Sequence, residues 1–224
     1  MSKNVTLVTY PEGTFLKSYD TFVAVKPTAE LADDMVTEKF HSKTTSRHIN
    51  EFFGGAEKAA KVMKYGIEKE FVKENEKHLK YLAQGWHMAQ ELDKAEPVYE
   101  KAAIKSEEGE LYVFLGQIYL ATDRYKKAKQ ALQLGLKKGK LKDPVTVNIL
   151  LGQVAYELQD FEDATKFFRT AIDRLSDIKI KDKEAREKKQ DKLRTQALNW
   201  LTYTEKEKKR VEMLQLRIKD LEES

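Results

Sequence analysis

Three stretches of the sequence align with one another: KHLKYLAQGWHMAQELDKAEPVYEKAA (77–103), ELYVFLGQIYLATDRYKKAKQALQLGL (110–136) and TVNILLGQVAYELQDFEDATKFFRTAI (146–172). Each stretch predicts a helix, a tight turn and a second helix. A small residue in the first helix recurs at spacings of 33 and then 36 residues, at Ala83, Gly116 and Gly152. Self-similarity at this period indicates stacked helical repeats.

Four further positions recur with the same spacings. A leucine precedes each small residue: Leu82, Leu115 and Leu151. An alanine begins each second helix: Ala95, Ala128 and Ala164. In each second helix a bulky residue follows the alanine, at Tyr99, Leu132 and Phe168, and then a small one, at Ala102, Gly135 and Ala171. Two antiparallel helices approach closely only where one side chain is small, and bulky residues fill the space beside the crossing. The pattern therefore predicts paired helices with close crossings.

This pattern resembles the tetratricopeptide-repeat (TPR) family, whose period is about 34 residues. The resemblance implies an all-α TPR helical solenoid of about three to four repeats, with a C-terminal capping and extended helix and a small β-containing N-terminal arm. We predict the arm at 1–42, the solenoid at 43–180 and the C-terminal helix at 181–224. A partial fourth copy, EKAAKVMKYGIEKEFVKE (57–74), matches 125–143, and its first helix is expected near 43–53.

The two ends of the chain differ from the repeats. NVTLVTY (4–10) and TFVAVK (21–26) are rich in β-formers and predict a hairpin, followed by a short helix from Thr28 to Phe40. The C-terminal stretch predicts a long charged helix in which Trp200 and Leu201 cap the last repeat. Its last apolar residues continue a 3,4 spacing and could pair with another helix, or lie on a solvated tail: Val211, Leu214, Ile218 and Leu221.

Composition excludes several classes of function. Hydrophobic residues at 41% suffice for a packed core, whereas a net charge of +4 without an arginine-rich patch does not predict nucleic-acid binding. No run of 18 apolar residues is present, so no membrane insertion is expected. The start of the chain lacks the continuous apolar segment of a secretory signal. As written, the sequence predicts an unexported, soluble, cytoplasmic protein.

No catalytic constellation is evident. The chain has no cysteine, and its four histidines, at positions 41, 48, 78 and 87, do not have metal-ligand spacing. Glycine-rich phosphate loops and nucleophile elbows are also lacking. We therefore predict a non-enzymatic protein with no catalytic residue, cofactor or metal.

The first helices supply the candidate binding residues. The inner groove of a TPR solenoid is lined by the outward positions of each first helix, and these are Lys80, Gln84, His87, Val113, Gln117, Leu120, Ile149, Gln153 and Tyr156. Glutamine recurs at the same place in all three repeats, and a row of amides suits hydrogen bonding to an extended peptide or a helix. The alternatives are an ordinary solvated helix face, and a structural or oligomerising protein that uses the C-terminal helix.

A more specific resemblance extends over about 57–216. The segments AAKVMKYGIEKEFV, LAQGWHMAQELDKAEPVYEKAA, GELYVFLGQIYL, KKGKLKDP, LLGQVAYELQDFEDA and ALNWLTYTEKEKKR resemble the TPR subfamily that accompanies the second TonB energy-transduction system of marine gammaproteobacteria. That resemblance implies a periplasmic accessory protein of TonB-dependent iron uptake. It differs from the cytoplasmic prediction made from the start of the chain.

Overall fold

The computed structural model describes the strand segments 5–10, 13–18, 21–27 and 35–36, together with residues 55–70 and 72–223. The chain divides into two compact units, Met1–Ser106 and Glu107–Ser224. The described residues of the first unit form four strands and three helices. The second contains five helices and a short 3₁₀ turn.

The strands of the first unit form one antiparallel sheet in sequential order. They are β1 (Val5–Tyr10), β2 (Gly13–Ser18), β3 (Thr21–Pro27) and β4 (Met35–Val36). The pairing differs from the predicted hairpin because β2 lies between the two segments identified from composition. The predicted helix at 28–40 is not formed at Met35 and Val36, which pair instead with β3. Pairing with a neighbouring strand here overrides local helix preference.

The helices of the first unit are α1 (Ala56–Glu68), α2 (Glu76–Met88) and α3 (Leu92–Lys105). Helix α2 begins where the side chain of Asn75 accepts a hydrogen bond from the backbone N–H of His78. This cap satisfies one of the donors that a helix leaves unpaired at its start. Helix α1 lies where the sequence predicts the second helix of the partial repeat, and the first helix expected at 43–53 lies outside the described residues.

The second unit contains α4 (Glu110–Ala121), α5 (Tyr125–Lys138), α6 (Pro144–Glu157), α7 (Phe161–Asp173) and α8 (Lys183–Glu222), with the 3₁₀ turn Leu175–Asp177 before α8. Aspartate side chains begin three of these helices. Asp143, Asp160 and Asp182 accept hydrogen bonds from the third residue beyond each, at 2.7–3.2 Å. Helices α4 and α5 pack as one pair, and α6 and α7 as the next.

Close helix crossings occur at the predicted small residues. A Cβ placed on Gly116 would lie 2.5 Å from Cγ of Leu132, and one on Gly152 would lie 2.5 Å from Cε1 of Phe168. Ala83 and its bulky counterpart Tyr99 are both fully buried in the first unit. The small residue of each first helix therefore leaves room for the bulky residue of the second, as the sequence pattern predicts.

Helix α8 completes the core of the second unit. Its residues Leu193 and Ala197 are buried with Phe168 and Leu175, and Trp200 and Leu201 pack against the same cluster. The ring of Trp200 stacks on Phe168 with centroids 6.0 Å apart and planes 12° apart. The predicted capping role of Trp200 and Leu201 is confirmed. The predicted fold class is also confirmed in the repeated antiparallel helix pairs that the structure describes.

Candidate partner-binding site

The three recurring glutamines occupy equivalent places in the structure. Gln84, Gln117 and Gln153 each follow the small residue of a first helix and are partly exposed. The small residue points into the helix crossing, and the next residue is rotated by about 100° around the helix. The glutamine amide is therefore held at the edge of the repeat core, where it can reach solvent or a ligand.

In the first unit, Lys80 and Gln84 are partly exposed, whereas His87 turns towards the core of its repeat. The ring of His87 lies edge-on to Tyr99 with centroids 6.0 Å apart, and Nδ1 of His87 lies 3.5 Å from the hydroxyl of Tyr99. Burial lowers the pKa of His87 and raises the pKa of Tyr99. Both rings are thus held neutral near pH 7. The side chain of Met88, the next residue, is 66% exposed.

In the second unit, the prediction that Val113 and Ile149 line an open face is corrected. Val113 is 7% exposed and packs towards Gly135, where an added Cβ would approach its Cγ2 to 3.2 Å. Ile149 is 1% exposed and belongs to the cluster shared with α7 and α8. Helices α4 and α6 are apolar on nearly every side, which is the composition of a helix packed on more than one face. Gln117, Leu120 and Gln153 stay partly exposed.

Tyr156 is covered by the C-terminal helix. Its ring lies 5.7 Å from Trp200 and 5.2 Å from Tyr203, both on α8, and 5.8 Å from Phe161. Burial, together with a hydrogen bond to Tyr203, raises the pKa of Tyr156. Tyr156 is therefore part of an aromatic cluster that joins α6 to α8, with only part of its side chain open to a ligand.

Sequence reasoning missed one residue at this place. Tyr203 is 53% exposed and forms the outer side of the aromatic cluster. It lies three residues after Trp200, a spacing that places both rings on one side of a helix. Tyrosine and tryptophan are enriched among the residues that contribute most to protein interfaces. That spacing was the available signal for including Tyr203 in the candidate site.

No described helix is long and apolar enough to cross a bilayer. Among the residues that the structure describes, no group of three histidine, aspartate or glutamate side chains is arranged to hold a metal ion.

A family model for the tetratricopeptide repeat matches residues 109–137 and 145–174. These ranges correspond to the pairs α4–α5 and α6–α7. The chain contains tetratricopeptide repeats. The pair α2–α3 has the same pattern of small and bulky buried residues, although the family model does not extend to it.

The N-terminal part of the chain matches a different family model. Residues 1–72, which include the sheet and α1, match a family of unknown function (DUF8033). No curated protein matches the chain. The partial repeat identified at 57–74 from the sequence thus lies largely within the range of this second family.

Several solved structures resemble the chain at low sequence identity. A crystal structure of MamA is 17% identical, covering 77% of this chain and 99% of that one, with a TM-score of 0.50. A T3SS complex from Aeromonas hydrophila is 15% identical, covering 64% of this chain and 89% of that one, with a TM-score of 0.51. The Sgt2 TPR domain from Aspergillus fumigatus is 14% identical over 62% and 82%, with a TM-score of 0.47. The likeness to the first two, with TM-scores of 0.50 and 0.51, concerns the fold alone.

Proposed function

We propose that this TPR protein is a non-enzymatic scaffold that binds a protein or peptide through the exposed edges of its first helices. The observation that carries this proposal is the recurrence of a partly exposed glutamine at the same place in three helix pairs. TPR repeats are consistent with a binding role, and neither matching family model describes an enzyme.

The chemistry of the recurring residues suits a peptide ligand. A glutamine amide offers two donors and a carbonyl acceptor, so it can pair with the N–H and C=O groups of an extended backbone whatever the ligand side chains are. The partly exposed residues beside the glutamines would add apolar contact and charge: Lys80, Leu120 and Tyr156. His87 lies closer to the core and contributes mainly through its neutral ring. Val113 and Ile149 would support the site from beneath.

The test compares two sets of glutamines. Peptides that bind the full chain are selected from a displayed random library, and their affinities are then measured for wild type and variants. The variant Gln84→Ala, Gln117→Ala, Gln153→Ala is expected to weaken binding by ~1–3 kcal/mol, at roughly 0.5–1.5 kcal/mol per lost hydrogen bond. Helicity and the melting temperature should stay nearly unchanged.

The matched control is Gln130→Ala with Gln133→Ala, two exposed glutamines on the second helix α5. This control should bind as wild type does. Normal binding by the triple variant would remove the first-helix face as the site. If binding by the triple variant is normal and deletion of the chain after Arg210 abolishes it, the recognition element is the end of α8.

We further infer, from the resemblance of 57–216 to the TonB-associated TPR subfamily, that the partner belongs to a TonB energy-transduction complex and that the protein acts in the periplasm. The support for this step is the set of sequence segments quoted above. Titration of the purified chain with the periplasmic region of a TonB protein from the same genome tests the partner. No association at high micromolar concentration would remove the TonB assignment and leave the general scaffold function standing. Cell fractionation of the source organism tests the compartment.

A further inference from the structure

Helix α8 is much longer than the repeat on which it packs. It has 40 residues, against 13 in α7. Arg169 of α7 pairs with Glu205 of α8 at 3.2 Å, and Glu162, the second residue of α7, pairs with Lys208. The start of α7 is therefore level with Lys208. At a rise of 1.5 Å per residue, α8 continues for another ~20 Å beyond that point.

The apolar stripe of α8 continues into this extension. The same 3,4 spacing that buries Leu193 and Ala197 against α7 passes through Thr204, which is fully buried, and reaches Val211, Leu214, Ile218 and Leu221. On the extension the stripe is open to solvent, with Leu214 44% and Ile218 55% exposed. The stripe thus begins in the interface between α8 and α7 and continues as an exposed apolar seam, formed by Val211, Leu214, Ile218 and Leu221.

The residue types along the uncovered seam select a particular partner helix. In heptad terms, Val211 and Ile218 occupy a positions, and Leu214 and Leu221 occupy d positions. β-branched residues at a with leucine at d favour a parallel, two-stranded coiled coil. The same segment of a second copy of this chain has β-branched residues at a and leucine at d, and in a parallel pair these positions face their counterparts.

The flanking charges agree with the parallel arrangement. Arg217 is at a g position and Glu222 at the following e position. In a parallel pair, Arg217 of one helix would therefore face Glu222 of the other helix across the seam. In an antiparallel pair the g positions face each other, and Arg210 and Arg217 of the two helices would be brought together. Like charges in such positions disfavour that orientation.

We propose that the end of α8 is a dimerisation element, in which Val211–Leu221 pairs in parallel with the same segment of a second copy of this chain. The helix is already formed and anchored through its first half on α7, so pairing does not have to order a free peptide. The seam is only about two heptads long, and the dimer is therefore reversible and dependent on concentration. Dimerisation would place two TPR scaffolds on one assembly and raise the affinity for a partner with two binding segments.

The first experiment measures the mass of the full chain by sedimentation equilibrium from micromolar to near-millimolar concentration. Wild type is expected to rise from 26.0 kDa towards twice that mass. The seam variant Leu214→Glu, Ile218→Glu should remain at 26.0 kDa throughout. The matched control is Met213→Glu, Leu216→Glu, which introduces the same charges at neighbouring residues that are more exposed, at 69% and 63%, but lie off the seam. The control should dimerise as wild type does.

Four outcomes overturn the proposal. They are a wild-type chain that stays monomeric at every concentration, one that assembles beyond the dimer, a seam pair that dimerises normally, and a control pair that loses dimerisation as fully as the seam pair. Circular dichroism of each variant shows whether the helix content is retained.

A second experiment determines the orientation. The chain has no cysteine, so a single introduced cysteine reports on one position. Oxidation of Leu221→Cys is expected to give a disulfide-linked dimer, because a parallel pair brings the two d positions together. Lys219→Cys, two residues away and off the seam, should give little disulfide-linked dimer. An antiparallel pair would separate the two 221 positions by ~15 Å or more, at 1.5 Å per residue. Absence of the 221 cross-link in a chain that dimerises would overturn the parallel arrangement.

Discussion

Gly152 shows how one residue decides a helix crossing. An added Cβ would lie 2.5–2.7 Å from three carbons of the Phe168 ring, and Phe168 is fully buried. A fully buried aromatic ring has no free space into which it can retreat, because protein interiors are close-packed. The glycine is therefore required by the ring opposite it, although glycine within a helix costs about 1 kcal/mol relative to alanine.

We predict that Gly152→Ala lowers the free energy of unfolding by ~1–3 kcal/mol and that Gly152→Leu lowers it by more, because both overpack the crossing. Urea unfolding followed by circular dichroism measures the change. Gln153→Ala, at the next and partly exposed residue, is the control and should change the free energy by less than ~0.5 kcal/mol. An unchanged unfolding midpoint for Gly152→Ala would show that Phe168 can move aside.

Asp143 links the start of α6 to α8. Its carboxylate accepts a hydrogen bond from the backbone N–H of Thr146 at 3.0 Å and pairs with Lys189 at 2.6 Å. Burial alone would raise the pKa of Asp143, but the hydrogen bonds from Lys189 and Thr146 outweigh it and hold the pKa below its usual range. Because the pKa is lower in the folded state, the ionised group stabilises the fold above the unfolded pKa of about 3.9. This contribution is lost as the pH falls through the folded pKa.

We predict that Asp143→Asn lowers stability near pH 7 by ~0.5–1 kcal/mol, since asparagine can still cap the helix but cannot pair with Lys189. The difference from wild type should begin to shrink as the pH falls below the unfolded pKa of about 3.9 and should disappear below the lower pKa of the folded state, where Asp143 becomes neutral. The difference in stability is measured from the urea unfolding midpoints of wild type and Asp143→Asn across this pH range. Other carboxylates contribute equally to both proteins. A difference that stays constant down to acid pH would contradict the role of the Asp143 charge.

At the scale of the element, each helix pair turns through the same backbone motif. Gln90, Asp123 and Gln159 have φ of 61°, 56° and 59° and directly follow the caps of the first helices. The N–H of the next residue donates to the carbonyl five residues earlier, at 2.8–2.9 Å, as in Glu91 to Trp86. This is the Schellman arrangement, in which one left-handed residue satisfies the last carbonyls of a helix. The recurring turn sets the direction in which each second helix leaves the first.

We predict that Gln159→Val destabilises the second unit by about 1 kcal/mol or more, because a β-branched side chain is strongly disfavoured at positive φ. Gln159→Gly should be close to neutral or slightly stabilising, because glycine adopts this conformation without strain. Both substitutions remove the glutamine side chain. The difference between the melting temperatures of the two variants therefore reports the strain of the positive φ. Equal melting temperatures for the two variants would argue that the turn relaxes to another conformation.

At the scale of the whole molecule, the two units each contain one of the two tryptophans. Trp86 lies in Met1–Ser106 and is 3% exposed, and Trp200 lies in Glu107–Ser224 against Phe168. In repeat proteins each repeat contacts only its neighbours, so stability is close to a sum of local terms. A local change should then be felt most strongly in the unit that contains it.

We predict that Gly152→Ala shifts the unfolding midpoint reported by Trp200 further than the midpoint reported by Trp86. Single-tryptophan versions, made with Trp86→Phe or Trp200→Phe, allow each unit to be followed by fluorescence in urea. The same versions without Gly152→Ala provide the reference midpoints. Identical shifts at both tryptophans would mean that the chain unfolds as one cooperative body.

The helix pairs themselves followed from the sequence alone. Their period, the small residues at the crossings and the bulky residues opposite them are local requirements that are written into each pair of helices. Ala83, Gly116 and Gly152 could be assigned before any coordinates, because steric exclusion between two crossing helices depends only on residue size. The C-terminal helix was predictable for a different reason, the 3,4 spacing of its apolar residues, and Trp200 was predictable as the cap because a solenoid needs an end helix.

Which faces stay open was decided by the tertiary structure. Helices α4 and α6 are apolar nearly all round, so their sequences contain no polar face from which an exposed side could be read, and Val113 and Ile149 proved to be buried. The covering of Tyr156 by Trp200 and Tyr203 depends on where α8, some 40 residues later in the chain, packs. The pairing of Met35 and Val36 with β3 likewise depends on a neighbouring strand. Exposure is a property of the neighbours that a residue meets, and those neighbours are brought together only by the fold.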